Sequence, residues 1–199
     1  MTFDVPEPDG GDMPPPHVWE QRLRPARTRE TGVDGAVLAA LRRGIGREAG
    51  TVPEMWPYYR ELSASGALTP RLRAEHLTLT LFAVHQQSRP TAVHKRDVGV
   101  GTAMAALRRS GTFSEEAVER RFAAFATATS LTEAGTHLRG LITQLRSIEQ
   151  GLDYTQLMDD LVAWQFPASV GRVRRRWGLQ FFISRTPDES GSTQQRTGE

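Results

Sequence analysis

Arginine is the residue type whose number and spacing in this chain could do chemistry. Of 25 basic residues only Lys95 is a lysine, and the arginines gather as Arg42–Arg43, Arg108–Arg109, Arg120–Arg121, and Arg172 with Arg174, Arg175 and Arg176. A guanidinium grips phosphate oxygens with a planar fork of donors and stacks on bases, which a lysine ammonium cannot do. The pattern points to a nucleic-acid surface. A GC-rich genome that writes every surface cation as arginine gives the same composition, so each arginine is weighed by where it falls.

Arg42–Arg43 and Arg108–Arg109 fall in the last turns of helix-like segments, just before Gly44 and Gly111. Cations there stabilise the negative helix end by themselves. Arg71 and Arg73 fall in a first turn instead, where positive charge is disfavoured unless a phosphate shares the free N–H groups. An Arg71–Glu75 pair at i,i+4 is the bland alternative. At 100° per residue, Arg121 borders the apolar stripe of its segment while Arg120 points away. Arg139 and Arg146, seven residues apart, lie on one side of another stripe, and stems packed beside a buried face hold such heads in place. Arg172, Arg175 and Arg176 face away from Val173 and Trp177, which plain solvation also explains.

Other chemistry finds no constellation. The chain has no cysteine, which excludes disulfides and thiol chemistry. His76, His85 and His94 are spaced nine apart, off any single helix face, and His85 reads as a bonded core residue. Glu133 and His137 sit at i,i+4 without a third ligand nearby, so no metal site is expected. Gly99-Val-Gly101 precedes a helix without the surrounding βαβ pattern of a phosphate loop. Asp159 and Asp160 read as solvent-facing. No catalytic residue and no cofactor is expected.

These groups must be carried by helices. Residues 1–20 carry a net −5, residues 186–199 a net −2 and the body between them +9. A basic body with acidic ends suits a polyanionic partner. The proline- and glycine-rich opening reads as a flexible segment over 1–30, and 186–199 as a flexible tail. With no long apolar run and no signal-like start, the expected location is the cytoplasm. Asp34 caps a helix with the stripe Val37, Leu38, Leu41, and Thr69–Pro70 opens one over roughly 70–88 that is apolar nearly all round. A shorter helix follows Gly101. Ser114 opens the next, Thr132 the one carrying Leu138, Leu141, Ile142 and Leu145, and Asp153 with Gln156 the one that Pro167 breaks. A last helix carries Val170, Val173, Trp177 and Phe181. The expectation is an all-α fold of about eight helices in two packed bundles, 31–111 and 112–185.

Several stretches, in order and spacing, resemble the CasB family, the small subunits of the type I-E CRISPR Cascade complex. They are Leu41-Arg42-Arg43, Pro53-Glu-Met-Trp-Pro-Tyr-Tyr59, the apolar helix over 77–85, Val118-Glu-Arg-Arg-Phe122, His137-Leu-Arg-Gly-Leu-Ile142, Leu152-Asp-Tyr154 and Leu161-Val-Ala-Trp164. The resemblance spans roughly 33–183. It implies a non-catalytic helical subunit of which two copies lie head to tail beside other Cascade subunits. It implies contact with the guide RNA–DNA hybrid and the displaced single-stranded DNA, and it puts Arg42, Arg43, Arg71, Arg121 and Arg139 where the family keeps basic residues. Gly140 departs from a fully basic pattern. Phe122, Phe125, Trp164 and Trp177 all read as core, so few aromatics remain for bases to stack on, and weak binding by the isolated chain is expected. A helical DNA-binding regulator and a scaffold without nucleic-acid contacts are the alternatives.

Overall fold

A computed structural model describes residues 16–20 and 33–183. Expectations for 1–15, 21–32 and 184–199 fall outside the described residues. The fold is all-α: α1 (Gly35–Arg42), a 3₁₀ segment (Pro53–Tyr58), α2 (Pro70–Gln86), α3 (Val100–Arg109), α4 (Glu115–Thr127), α5 (Leu131–Ser147), α6 (Tyr154–Trp164) and α7 (Pro167–Ile183). Among the described residues the extended pairing is one isolated bridge, His94 with Leu152. No described helix is long and apolar enough to cross a membrane.

The starts follow the capping chemistry of the sequence. Asp34, Thr69, Ser114 and Asp153 each accept a backbone N–H two or three residues ahead. α5 starts earlier than Thr132: Ser130 is the cap, taking the N–H of Glu133 at 3.2 Å, while the Glu133 carboxylate reaches back to the Thr129 N–H at 2.8 Å. That reciprocal pair fixes the start. α6 ends at Trp164, ahead of Pro167 as expected, and Pro167 itself opens α7, where a missing N–H costs nothing.

α2 is the central element, packed by α1, α5 and α6, and it is buried around most of its circumference. α3 lies against α7 so closely that a Cβ at Gly101 would collide with the backbone carbonyl of Trp177. This is why the Gly99–Gly101 pair belongs to packing and not to a phosphate loop. α4 covers α3 and α5. One continuous apolar core runs from Leu38 and Leu41 through Phe82, Leu138 and Leu157 to Trp177 and Phe181.

The sequence assigns residues 17–20 to a flexible segment, but His17, Val18 and Trp19 are buried. The Trp19 indole N–H donates to Thr155 Oγ1 at 3.0 Å, His17 stacks on the indole at 4.2 Å, and Phe82 and Tyr154 close around it. An aromatic of that area gains strongly from burial once its N–H has an acceptor. Asp160, expected to face solvent, is 1 % exposed. It accepts the Trp177 indole N–H at 2.6 Å and pairs with Arg176, because a buried indole donor needs an acceptor and a buried carboxylate needs a cation.

Burial also holds four histidines neutral. His17 and His85 are pushed down from the ordinary 6.5 to about 4, and His76 and His94 are lowered as well, in each case chiefly by desolvation. His85 Nδ1 meets the buried Tyr154 hydroxyl at 2.8 Å. Below about 6.5 the unfolded chain binds protons that the folded chain refuses, so stability falls as pH drops through that value toward 4. Glu75, raised by burial, opposes this at the acid end. Urea midpoints should decline across that window, and a flat profile would contradict neutral burial. Trp19→Ala should cost about 3–5 kcal/mol in the same assay, as large aromatic truncations do.

Candidate nucleic-acid interface

A groove of about 530 Å³ runs between α2, α5 and the loop after α1. Its floor is apolar, with Leu77, Leu81 and Val84 from α2 and Leu131 from α5. Its rim carries Arg47 from the loop, Arg73 from the first turn of α2 and Arg139 from α5, against the single carboxylate of Glu48. All three arginines are exposed, and none makes an ion pair or side-chain hydrogen bond among the described residues.

The loop that presents Arg47 is built from beneath by a buried relay. His76 Nε2 lies 2.9 Å from the Gly44 carbonyl, which can only accept, so this nitrogen carries the proton. Nδ1 then accepts from the Tyr59 hydroxyl at 2.6 Å, and that oxygen accepts the Gly50 N–H at 3.3 Å. Burial raises the Tyr59 hydroxyl and lowers His76, so both keep the protonation this relay needs. Gly50 closes the loop at φ 80°, a left-handed conformation costly to most side chains. The 44–50 loop is therefore tied to α2 at both ends.

The remaining arginines divide by what already holds them. Arg43 pairs with Glu54 at 2.6 Å and Arg71 with Glu61 at 3.0 Å. The alternative Arg71–Glu75 pair does not form, because Glu75 is buried and takes the N–H groups of Arg60 and Glu61. Arg146 donates to the Gln87 carbonyl at 2.9 Å, closing the end of α2, so it does not share the role of Arg139. Arg176 is engaged by Asp160. Arg108 pairs with Glu119 and lies over the Phe181 ring, in keeping with a structural role. Arg42, Arg120, Arg121, Arg172 and Arg175 make no such pair among the described residues, and none of them lines the groove. Of the expected residues the groove gathers Arg73 and Arg139. It adds Arg47, which stands alone in a loop without periodicity. Its sequence signal is a lone cation between Gly46 and Gly50.

The groove thus combines three guanidinium groups and the hydroxyls of Thr132 and Thr136 with an apolar floor. Among the described residues no group of three His, Asp or Glu side chains could hold a metal ion. Fold and site together define an all-helical protein with an arginine-rimmed groove. The chain belongs to the CRISPR-associated protein Cse2 family, whose model matches residues 37–182. It is 26% identical over 155 residues to a CRISPR-associated protein Cse2 of Thermus thermophilus, covering 77% of this chain and 83% of the relative. Among solved structures, CasB from Thermobifida fusca is 32% identical with a TM-score of 0.59, over 73% of this chain and 83% of the other. A chain of a CRISPR RNA-guided surveillance complex is 25% identical with a TM-score of 0.56, over 74% and 82%.

Removing the relay should disturb the loop without touching the arginines. Tyr59→Phe strands His76 Nδ1 and the Gly50 N–H, at a cost of about 1–3 kcal/mol. Denaturation measures the loss, and faster hydrogen exchange at the Gly50 amide localises it. Unchanged exchange there would mean that the loop holds itself.

Proposed function

We propose that this chain is a non-catalytic small subunit of a type I-E CRISPR Cascade complex. In this reading it supports the guide RNA–target hybrid and holds the displaced single-stranded DNA, with two copies placed head to tail beside other subunits. The observation that carries the reading is the convergence of three arginines, Arg47, Arg73 and Arg139, unpaired among the described residues, from three separate segments on one groove. The similar chain in a solved surveillance complex supports the assembly.

The physics asks little of such a subunit. Guide pairing reads the sequence, so a protein beside the hybrid has only to offer positive charge to a phosphate backbone. The groove does this with guanidinium groups, and no Phe, Tyr or Trp lines it to offer a stacking platform. Affinity should be modest, tolerant of sequence and steep in salt. The regulator alternative needs a tight turn and a polar recognition helix. Between α1 and α2 lie instead a tied loop and a 3₁₀ segment.

Replacing Arg47, Arg73 and Arg139 together by alanine should weaken single-stranded DNA binding and flatten the slope of log K against log salt by about 2, at about 0.7 per lost phosphate contact. Arg146→Ala should lower stability and leave that slope unchanged. Anisotropy titrations over a salt series read both. An unaltered slope in the triple variant would remove the groove from the mechanism, and recovery of the tagged chain from its host without RNA or partner subunits would remove the assembly.

A further inference from the structure

α7 packs on α3 and α6 and turns an exposed face away from both. Arg172, Arg175, Arg176, Leu179, Phe182 and Ile183 recur on that face at helical spacing. The face divides along its length. Its first half is cationic: Arg176 is held by Asp160 at the edge toward α6, while Arg172 and Arg175 make no pair among the described residues. Its second half is apolar, with Leu179, Phe182 and Ile183 exposed by 59 %, 66 % and 65 %. α7 contains no acid to balance its cations. Single exposed apolar side chains are ordinary, but three on adjacent turns beside three guanidinium groups mark a docking surface.

The complement of such a face is a segment with acids at one end and apolar side chains at the other. Residues 1–15 have that composition in that order. Asp4, Glu7, Asp9 and Asp12 stand there without any Lys or Arg, and Met1, Phe3 and Val5 lie at the N-terminal end. The stretch joins the described structure close to α7. Trp19 pins the 16–20 segment to Thr155 of α6, and the next residue, Gln156, meets Gln180 of α7 at Gly99, where a Cβ would run into both side chains. His17 lies in the field of Arg60 and Arg71, and Asp159 in the fields of Arg71 and Arg176, so the junction stands on the Arg176 edge of the face. Fifteen extended residues reach about 50 Å. A helix of 17 residues is about 25 Å long, so the whole face is within reach.

We infer that residues 1–15 dock on the outward face of α7 of the same chain. Glu7, Asp9 and Asp12 meet Arg172, Arg175 and Arg176, and Phe3 and Val5 cover Leu179, Phe182 and Ile183. Exposed ion pairs are individually weak. The tether makes this contact intramolecular, at an effective concentration on the order of millimolar, so weak pairs and a small apolar patch suffice. The acidic stretch is then an internal ligand that any other acidic partner of α7 must displace. None of the α7 residues involved lines the groove, so the inference does not rest on the proposed function.

The chain has no cysteine, so Thr2→Cys gives the full chain a single thiol for a nitroxide label. At low salt the Leu179, Phe182 and Ile183 amide resonances should lose intensity to the label in NMR spectra, and dilution should not change the loss. Near 1 M salt, where charges are screened within about 3 Å, the loss should shrink. Arg172→Glu with Arg175→Glu, both exposed positions, should abolish it without lowering the melting temperature. Adding Glu7→Arg and Asp9→Arg to that variant should restore it, which a general effect of charge would not do. Undiminished α7 amides at low salt would overturn the inference. So would a loss centred on Arg47, Arg73 and Arg139, which would put the acidic stretch on the groove. A loss on an isotope-labelled chain mixed with a separate spin-labelled one would make the occupant a second copy and overturn it likewise.

Discussion

The structure depends on one constraint: the central helix α2 is buried while carrying polar side chains that cannot be left without partners. Glu75, His76, His85 and Gln86 all lie inside, and a buried polar group costs free energy unless it is hydrogen-bonded. They are satisfied by pieces of the chain outside the helix. Glu75 takes two backbone N–H groups of the 59–61 segment, His76 takes the Gly44 carbonyl and the Tyr59 hydroxyl, and His85 meets Tyr154 of α6. Gln86 donates to the Arg89 and Thr91 carbonyls and accepts the Val93 N–H. The helix thus acts as a template that dictates the course of the loops around it.

The placement of charge follows from that template. Arg47 reaches the groove because His76 holds the loop that bears it. Arg73 is fixed by the start of α2 and Arg139 by the apolar stripe of α5, whose Gly135 lets it approach Leu77 closely. Three arginines from unrelated segments meet because each is secured to the same helix or its neighbour. The floor of the groove is largely apolar, so packing shapes it, while the three guanidinium groups at its rim are unpaired among the described residues.

The sequence made the helices legible and most pairings invisible. Caps and apolar stripes identify α1, α2, α4, α5 and α6, since both signals are local in the chain. Pairings between segments distant in the chain leave no such mark. Arg139 and Arg146 stand on one side of α5 in any helical projection, yet one faces the groove and the other closes the end of α2, because α2 ends beside only one of them. Asp160 looks like a surface acid until Trp177 is brought against it by the packing of α7 on α6. Arg47 escapes a reading by periodicity because its position is set by His76, in another segment.

Trp19 lies outside the 37–182 stretch that the family model matches, yet it completes the aromatic cluster with Phe82 and Tyr154 and bonds Thr155. The packing of those three residues therefore depends on a segment that lies outside the family match. Phe82, Tyr154 and Thr155 should vary in concert with the presence or loss of an aromatic upstream. A chain cut at the alignment boundary would expose an aromatic-lined hollow to water, which makes such a fragment prone to self-association.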